Sequence, residues 1–298
     1  MMSDRPLLGI LLMLGFCLLA PLGDGLAKFL SGTIAVGVLV TVRFAVQFLV
    51  LLPLALRTAG TVRLTARILR LTAWRTALHI LGISAMFLAL SYLPLADAIA
   101  IAFVMPFIML VLGHVVLGEA VGPWRVLGCA IGFLGTLMVV QPSFAQVGAP
   151  ALLPVFVAVV FALFMLVTRK LAKDIDPISL QCLSGGMACA VLLPLLLIGH
   201  AMGTESFSFL LPGALEAALL LGLGILGTAA HLLMTWSLRY APAATLAPMQ
   251  YLEIPFATLI GWLIFGDLPN GLAALGICVT ISAGLFVIYR ERLAAKEA

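Results

Sequence analysis

Residues 90–119 read LSYLPLADAIAIAFVMPFIMLVLGHVVLGE, and residues 238–267 read LRYAPAATLAPMQYLEIPFATLIGWLIFGD. At a shift of 148 residues, Tyr92 meets Tyr240, Pro94 meets Pro242, and Gly118-Glu119 meets Gly266-Asp267. The match runs over 90–140 against 238–288 and brings Gly128 onto Gly276. A looser match at a shift of 141 pairs Lys28 with Arg169 and Pro53 with Pro194. Both copies lie in almost uninterrupted apolar sequence. A membrane-embedded unit with an odd number of spans, once duplicated, inserts its second copy upside down. Inverted repeats of this kind are the usual architecture of secondary transporters.

Composition supports the membrane reading. Sixty-four per cent of residues are apolar and nine per cent charged, against about 45–50% and about 25% in soluble domains. Charge this sparse cannot cover a water-exposed surface. The apolar runs are long and continuous, which favours helices over the alternating strands of a barrel. The net charge of +4 comes from basic residues in short loops, so it reads as an orientation signal and not as a nucleic-acid surface. Cys17, Cys129, Cys182, Cys189 and Cys278 all fall in apolar stretches without metal-type spacing and read as packing residues. The apolar run at the amino end continues to Asp24 without a clear cleavage site and reads as a first span.

Ten segments are long enough to cross a bilayer: 7–28, 33–56, 73–92, 96–117, 124–141, 150–171, 178–199, 213–236, 245–265 and 271–289. They are taken as spans 1 to 10, five per unit, with units at 1–145 and 146–298. The loop after span 2 holds Arg57, Arg63, Arg67, Arg70 and Arg75, and the loop after span 6 holds Arg169, Lys170 and Lys173. The ends carry Arg5, Arg290, Arg292 and Lys296, and the alternate loops hold no Lys or Arg. Both termini are therefore expected on the cytoplasmic side of a bacterial-type inner membrane. The loops are too short for an ATP-binding module, so transport is expected to be facilitated or ion-coupled.

Several motifs together resemble the drug/metabolite transporter superfamily, EamA type. They are Asp24-Gly25-Leu26-Ala27-Lys28 ending span 1, Arg43-Phe44 in span 2, Tyr92-Leu93-Pro94 ahead of a span containing Pro106, and Gly118-Glu119. Their second-unit counterparts are Tyr240-Ala241-Pro242, Pro255 and Gly266-Asp267. The resemblance covers essentially the whole chain and implies an all-α membrane protein of ten helices in two inverted five-helix repeats around a central cavity. That cavity would be lined mainly by spans 1, 3, 4, 6, 8 and 9. The resemblance also implies small-metabolite transport without a cofactor. The sequence looks most like the YddG-like amino-acid exporters of the superfamily, so export of amino acids, aromatic or apolar ones included, is the leading expectation. The alternative is a nucleotide-like, vitamin or adenosyl sulfonium cargo.

Ionisable residues inside spans are the best functional pointers, since each costs about 2.5–3.5 kcal/mol at mid-helix. Glu253 lies two residues before Pro255, which is expected to free the Tyr251 carbonyl. It is a candidate for binding a substrate amine or a coupling proton, against a neutral interhelical hydrogen bond. Gln250 sits on the same face, three residues away, with Tyr251 beside it. His79 in span 3 and His231 in span 8 are candidate proton carriers or interhelical donors. Asp24, Lys28 and Arg43 form either an ion pair holding spans 1 and 2 or an external gate. Phe103, Met105 and Tyr251 belong to an aromatic and thioether set suited to apolar or aromatic solutes. Glu119 and Asp267 read as turn residues at span ends. Gly222-Leu223-Gly224-Ile225-Leu226-Gly227 matches a dinucleotide fingerprint by letter only. It follows no strand, so helix packing explains it better. Gly128 with Gly132, and Gly276 with Thr280, read as packing positions between the units. No catalytic or metal-binding constellation appears, and the chain is expected to work as a monomer with a small solute, lipid and a proton as its partners.

Overall fold

The computed structural model describes residues 5–58, 64–140, 148–209, 211–267 and 271–297, and all regular structure among them is helical. Arg63, the 141–147 stretch, Pro269-Asn270 and the side chains of Arg292 and Lys296, all used in the reading above, lie outside what is described. The elements are α1 (Pro6–Leu30), α2 (Val36–Thr58), α3 (Ala66–Leu90), α4 (Leu95–Ala102), α5 (Met105–Leu117) and α6 (Pro123–Val140). The second half follows with α7 (Leu152–Ala172), α8 (Pro177–Ala201), α9 (Ala214–Tyr240), α10 (Ala243–Leu246), a 3-10 segment (Ala247–Leu252), α11 (Glu253–Phe265) and α12 (Gly271–Glu297).

The ten expected spans are all present, as ten transmembrane helices in two inverted five-helix repeats around a central cavity. By length and composition, seven helices are long and apolar enough to cross a membrane, and two shorter apolar helices cover Pro123–Met138 and Ala274–Val287. Spans 4 and 9 are broken. Span 4 is α4 followed by α5, with Pro106 in the first turn of α5; span 9 is α10, the 3-10 segment and α11. Glu253 is thus the first residue of α11, not the middle of a kinked helix. The Tyr251 carbonyl expected to be free accepts, with that of Gln250, from the Glu253 N–H.

Span 3 starts earlier than expected, at Ala66, where the Thr65 hydroxyl accepts from the Ile68 N–H. Arg67 and Arg70 therefore sit on α3 and not in a loop, as does Arg75, which the expected bounds of span 3 already included. Arg67 pairs with Asp174 at 2.7 Å on the surface, whereas Arg75 is fully buried. Counting basic residues by position could not separate them, because that count ignores which face of a helix each occupies.

The main packing partners cross between the two halves: α1 lies on α9, α3 on α7, α2 on α8, and α6 on α12. In repeat terms, α1–α9 and α3–α7 are symmetry mates, while α2–α8 and α6–α12 pair with their own counterparts. The chain closes as one body because each helix finds its apolar partner in the opposite repeat. Small residues allow this. A Cβ on Gly135 of α6 would stand 2.5 Å from the Thr280 hydroxyl and 2.8 Å from the Gly276 carbonyl oxygen of α12.

The repeated Gly-acid pairs end α5 and α11 alike. Gly118 (φ 65°) and Gly266 (φ 72°) take the left-handed conformation that glycine adopts without a Cβ clash. Their acids then diverge. Glu119 accepts from the N–H groups of Ala243 (3.1 Å) and Ala244 (2.9 Å), so it caps α10, and it pairs with Arg169 at 3.2 Å. Arg169 also donates to the Leu238 carbonyl at 2.6 Å. This latch ties the ends of spans 4, 6, 8 and 9. At the opposite end Asp267, one methylene shorter, accepts no N–H from Leu95 or Ala96 among the described residues. There Lys28 instead donates to the Leu93 carbonyl at 2.7 Å.

Gly135→Val is expected to cost about 1–3 kcal/mol by overpacking α6 against α12, read as a lower melting temperature of the detergent-solubilised protein. An unchanged melting temperature would show that contact to be looser than drawn. Glu119→Ala removes the cap on α10, so hydrogen exchange at Ala243 and Ala244 should quicken about tenfold, within the ~0.5–2 kcal/mol of a lost cap. Unchanged exchange there would mean that the latch does not hold this end.

Candidate functional site

The broken spans meet α1, α2, α3, α7 and α9 around a central cavity of about 60 Å³. That volume holds a few water molecules, whereas metabolite pockets run to roughly 300–1,000 Å³. The cavity is too small for a metabolite as it stands, so a solute enters only when the walls part.

The charged walls of the cavity face one another. Asp24 of α1 and Glu253 of α11 line it, and neither carboxylate receives a protein hydrogen bond among the described residues. Arg43 of α2 and His231 of α9 also line it. Arg43 Nη2 lies 3.0 Å from His231 Nδ1. A guanidinium only donates, so Nδ1 accepts, and the neutral ring carries its proton on Nε2. The 3.0 Å approach of Nδ1 to the Gly227 carbonyl is then a contact and not a hydrogen bond. Gly227 makes room for the guanidinium: a Cβ there would stand 2.7 Å from Arg43 Nε. The last glycine of the spurious fingerprint thus seats a buried cation.

Arg43 and Asp24 attract each other through their charges, but no salt bridge within 4 Å joins them among the described residues, and the Arg43 guanidinium turns to the imidazole on α9. Lys28 does not pair with Asp24 either. It lies outside the cavity, bound to the Leu93 carbonyl and 5.3 Å from the Phe265 ring centroid. No gating or structural ion pair among these three residues is seen in this conformation.

The remaining walls are apolar, with Phe16, Phe87, Phe103 and Phe161 forming an aromatic collar, and Ile83, Met86 and Met105 beside them. Phe103 and Met105 flank the break in span 4. Tyr251 stands behind Phe103, at 5.6 Å between ring centroids, and donates its hydroxyl proton to the Cys129 carbonyl at 3.2 Å. It supports the wall without lining it. Gln250 is also behind the wall, with its Nε2 3.1 Å from Met165 Sδ.

His79 lies deeper. Its ring stacks near His231 (4.4 Å) and Phe164 (4.5 Å) and meets the edge of Phe44 (4.9 Å), and both ring nitrogens lack partners. Of the residues singled out in sequence, Asp24, Arg43, Phe103, Met105, His231 and Glu253 converge on the cavity, His79 touches this group from behind, and Lys28, Gln250 and Tyr251 do not line it.

Two polar clusters escaped the sequence reading. Gln47 of α2 donates to the Gln181 backbone carbonyl at 2.8 Å, and Gln181 Nε2 lies 3.3 Å from the Thr235 hydroxyl, which links α2, α8 and α9. The second cluster centres on Arg75, whose Nε donates to Thr168 (2.9 Å) and Nη1 to Ser184 (2.7 Å). Thr72, Arg75, Thr76 and His79 stand on one helical face, a spacing visible in the sequence once α3 is started at Ala66.

A model of the EamA-like transporter family matches residues 7–141 and again 149–290. A riboflavin transporter of Rhizobium johnstonii is 32% identical over 225 residues, covering 73% of this chain and 69% of that protein. An S-adenosylmethionine uptake transporter of Rickettsia bellii is 26% identical over 278 residues (92% and 91%). The pseudopaline exporter CntI of Pseudomonas aeruginosa is 27% identical over 270 residues (89% and 88%). One crystal structure superposes with a TM-score of 0.71 at 20% identity, covering 97% of this chain and 98% of that one, which supports the fold. With both repeats matched along nearly their whole length, the chain belongs to the EamA-like transporter family and is a membrane transporter of small metabolites.

Proposed function

We propose that the chain carries a small heteroaromatic metabolite of the vitamin or adenosyl sulfonium class across a bacterial inner membrane by alternating access. The observation that carries this reading is the cavity wall: four phenylalanines surround two carboxylates that accept no hydrogen bond from the protein among the described residues. A flat ring system would stack within such a collar at ~0.5–1.5 kcal/mol per aromatic pair. A sulfonium, an amine or a coupling proton would neutralise Asp24 or Glu253. Relatives that carry riboflavin and S-adenosylmethionine support this class over amino-acid export, the leading expectation from sequence. Amino-acid export stays as a second reading, favoured by the arrangement of two acids facing Arg43, which suits a zwitterion.

In this proposal Glu253, Asp24, Arg43, His231, Phe103 and Met105 meet the solute, with His79, Gln250 and Tyr251 shaping the wall behind them. The units at 1–145 and 146–298 would rock about the cavity within one monomer, with Lys28 as part of the gate opposite the Glu119 latch. Both termini would be cytoplasmic by the charge of the loops, which puts the latch on the cytoplasmic side.

Counterflow in proteoliposomes tests this directly, with labelled riboflavin, S-adenosylmethionine and tryptophan offered in turn. Exchange of riboflavin or S-adenosylmethionine, with none of tryptophan, is expected. Glu253→Gln should raise the half-saturating concentration of S-adenosylmethionine about tenfold or more, the worth of a charge-assisted contact of ~1.5–3 kcal/mol, and should leave riboflavin nearly unaffected. Exchange of tryptophan alone would put the second reading first.

A further inference from the structure

Arg75 presents a charge that the protein leaves unanswered. It is fully buried and its Nη2 has no partner. No ion pair reaches it among the described residues, and its neighbours are two hydroxyls and the ring of Phe164, 4.5 Å from the guanidinium carbon. A guanidinium cannot shed its proton to escape this burial. Leaving a cation unpaired inside the protein costs several kcal/mol.

The surroundings say what would answer it. On α3, Thr72, Arg75, His79, Ile83 and Met86 follow one another at helical spacing along a single face. Ile83 and Met86 line the cavity, and Arg75 lies about 12 Å further along the helix. On the facing α7, Val157 and Phe161 line the cavity, then come Phe164, under the guanidinium, and Thr168, which accepts from Nε. The two faces that wall the cavity therefore continue past an aromatic plug, Phe161, Phe164 and His79, into a polar segment. Unpartnered atoms collect there: Thr72 Oγ1, Arg75 Nη2 and both nitrogens of His79.

We propose that Arg75, with Thr72 and His79, forms an anion subsite on the solute path, closed off here by that plug, which takes a carboxylate or phosphate carried by the solute. The planar fork of Nη1 and Nη2 suits either group, and the Thr72 hydroxyl and a His79 N–H supply further donors. The anion reaches Arg75 when α3 and α7 separate. The subsite rests on the chain being a transporter but not on which ring system it carries.

Purified protein in detergent is melted with inorganic phosphate, and with two matched pairs: S-adenosylmethionine against its decarboxylated analogue, and riboflavin against riboflavin 5′-phosphate. Wild type is expected to be stabilised more by the anionic member of a pair, or by phosphate alone. Arg75→Gln should abolish that preference, Arg75→Lys should keep part of it, and Thr72→Val, which changes little in shape, should weaken it about tenfold. A preference seen with phosphate alone identifies a free anion as the ligand and removes the solute's own group. Organic solutes that bind wild type and Arg75→Gln with equal discrimination, or a wild type indifferent to every anion, overturn the subsite. Should Arg75→Gln fail to fold, an undiminished preference in Thr72→Val does the same. If neither ring system binds but the phosphate effect disappears with Arg75, the proposed cargo fails and the anion site stands.

Discussion

Hydrocarbon offers no hydrogen-bond partner to a backbone, so a helix inside a bilayer can break only where protein covers the break. That constraint shapes this molecule. From Ala243 to Ile254 every residue is buried, so the helix can stop at Leu246, wind as 3-10 through Leu252 and restart at Glu253 without exposing a polar group to lipid. The cover comes from α1, α5, α6 and α12, all packed against the 3-10 segment. The break in turn places Glu253 at the start of a helix facing the cavity, and the repeat-related break in span 4 places Phe103 and Met105 opposite. Broken spans, crossed packing of the repeats and a central cavity are consequences of one requirement.

The same requirement governs charge. Arg43 is tolerated at depth because Gly227 lets its guanidinium lie flat against α9 and His231 accepts one of its protons. Asp24 and Glu253 face the central cavity and not lipid. Arg75 has hydroxyls and a ring but no counter-charge. Each of the two guanidiniums keeps one unpartnered nitrogen; they differ in that Arg43 lies within the field of Asp24 whereas no acid answers Arg75, which lies on the faces that continue the cavity walls.

Much of this was legible in the sequence. Composition fixed the bilayer, and the tyrosine, proline and Gly-acid matches at one shift revealed the duplication, because turns and helix ends demand particular residues. Asp24, Arg43, Glu253 and His231 stood out because charge in a span is costly. What escaped depends on contacts between distant segments. Nothing local says that Arg43 turns to His231 in preference to Asp24, or that His79 and His231, 152 residues apart, stack at 4.4 Å. Tyr251 and Gln250 looked like site residues from their nearness to Glu253. However, a 3-10 turn advances a third of a circle per residue, so Tyr251 points at α6. Arg75 was hidden by arithmetic, since a positive loop and a buried cation count alike.

The duplication was also not left symmetric. Glu119 and Asp267 occupy equivalent places after equivalent glycines, but only Glu119 reaches two backbone N–H groups and an arginine. At the counterpart end Lys28 donates to the Leu93 carbonyl and is attracted by Asp267 and Asp97. Two gates of equal strength would leave an alternating-access carrier indifferent between its two faces. Unequal ones would favour closure at the stronger gate. The cavity lies between these two ends, lined by Phe16 to Asp24 of α1, Val157 and Phe161 of α7 and Leu223 to His231 across the middle of α9. Glutamate against aspartate, together with Arg169 against Lys28, leaves the two ends of an internally duplicated fold held by different bonds.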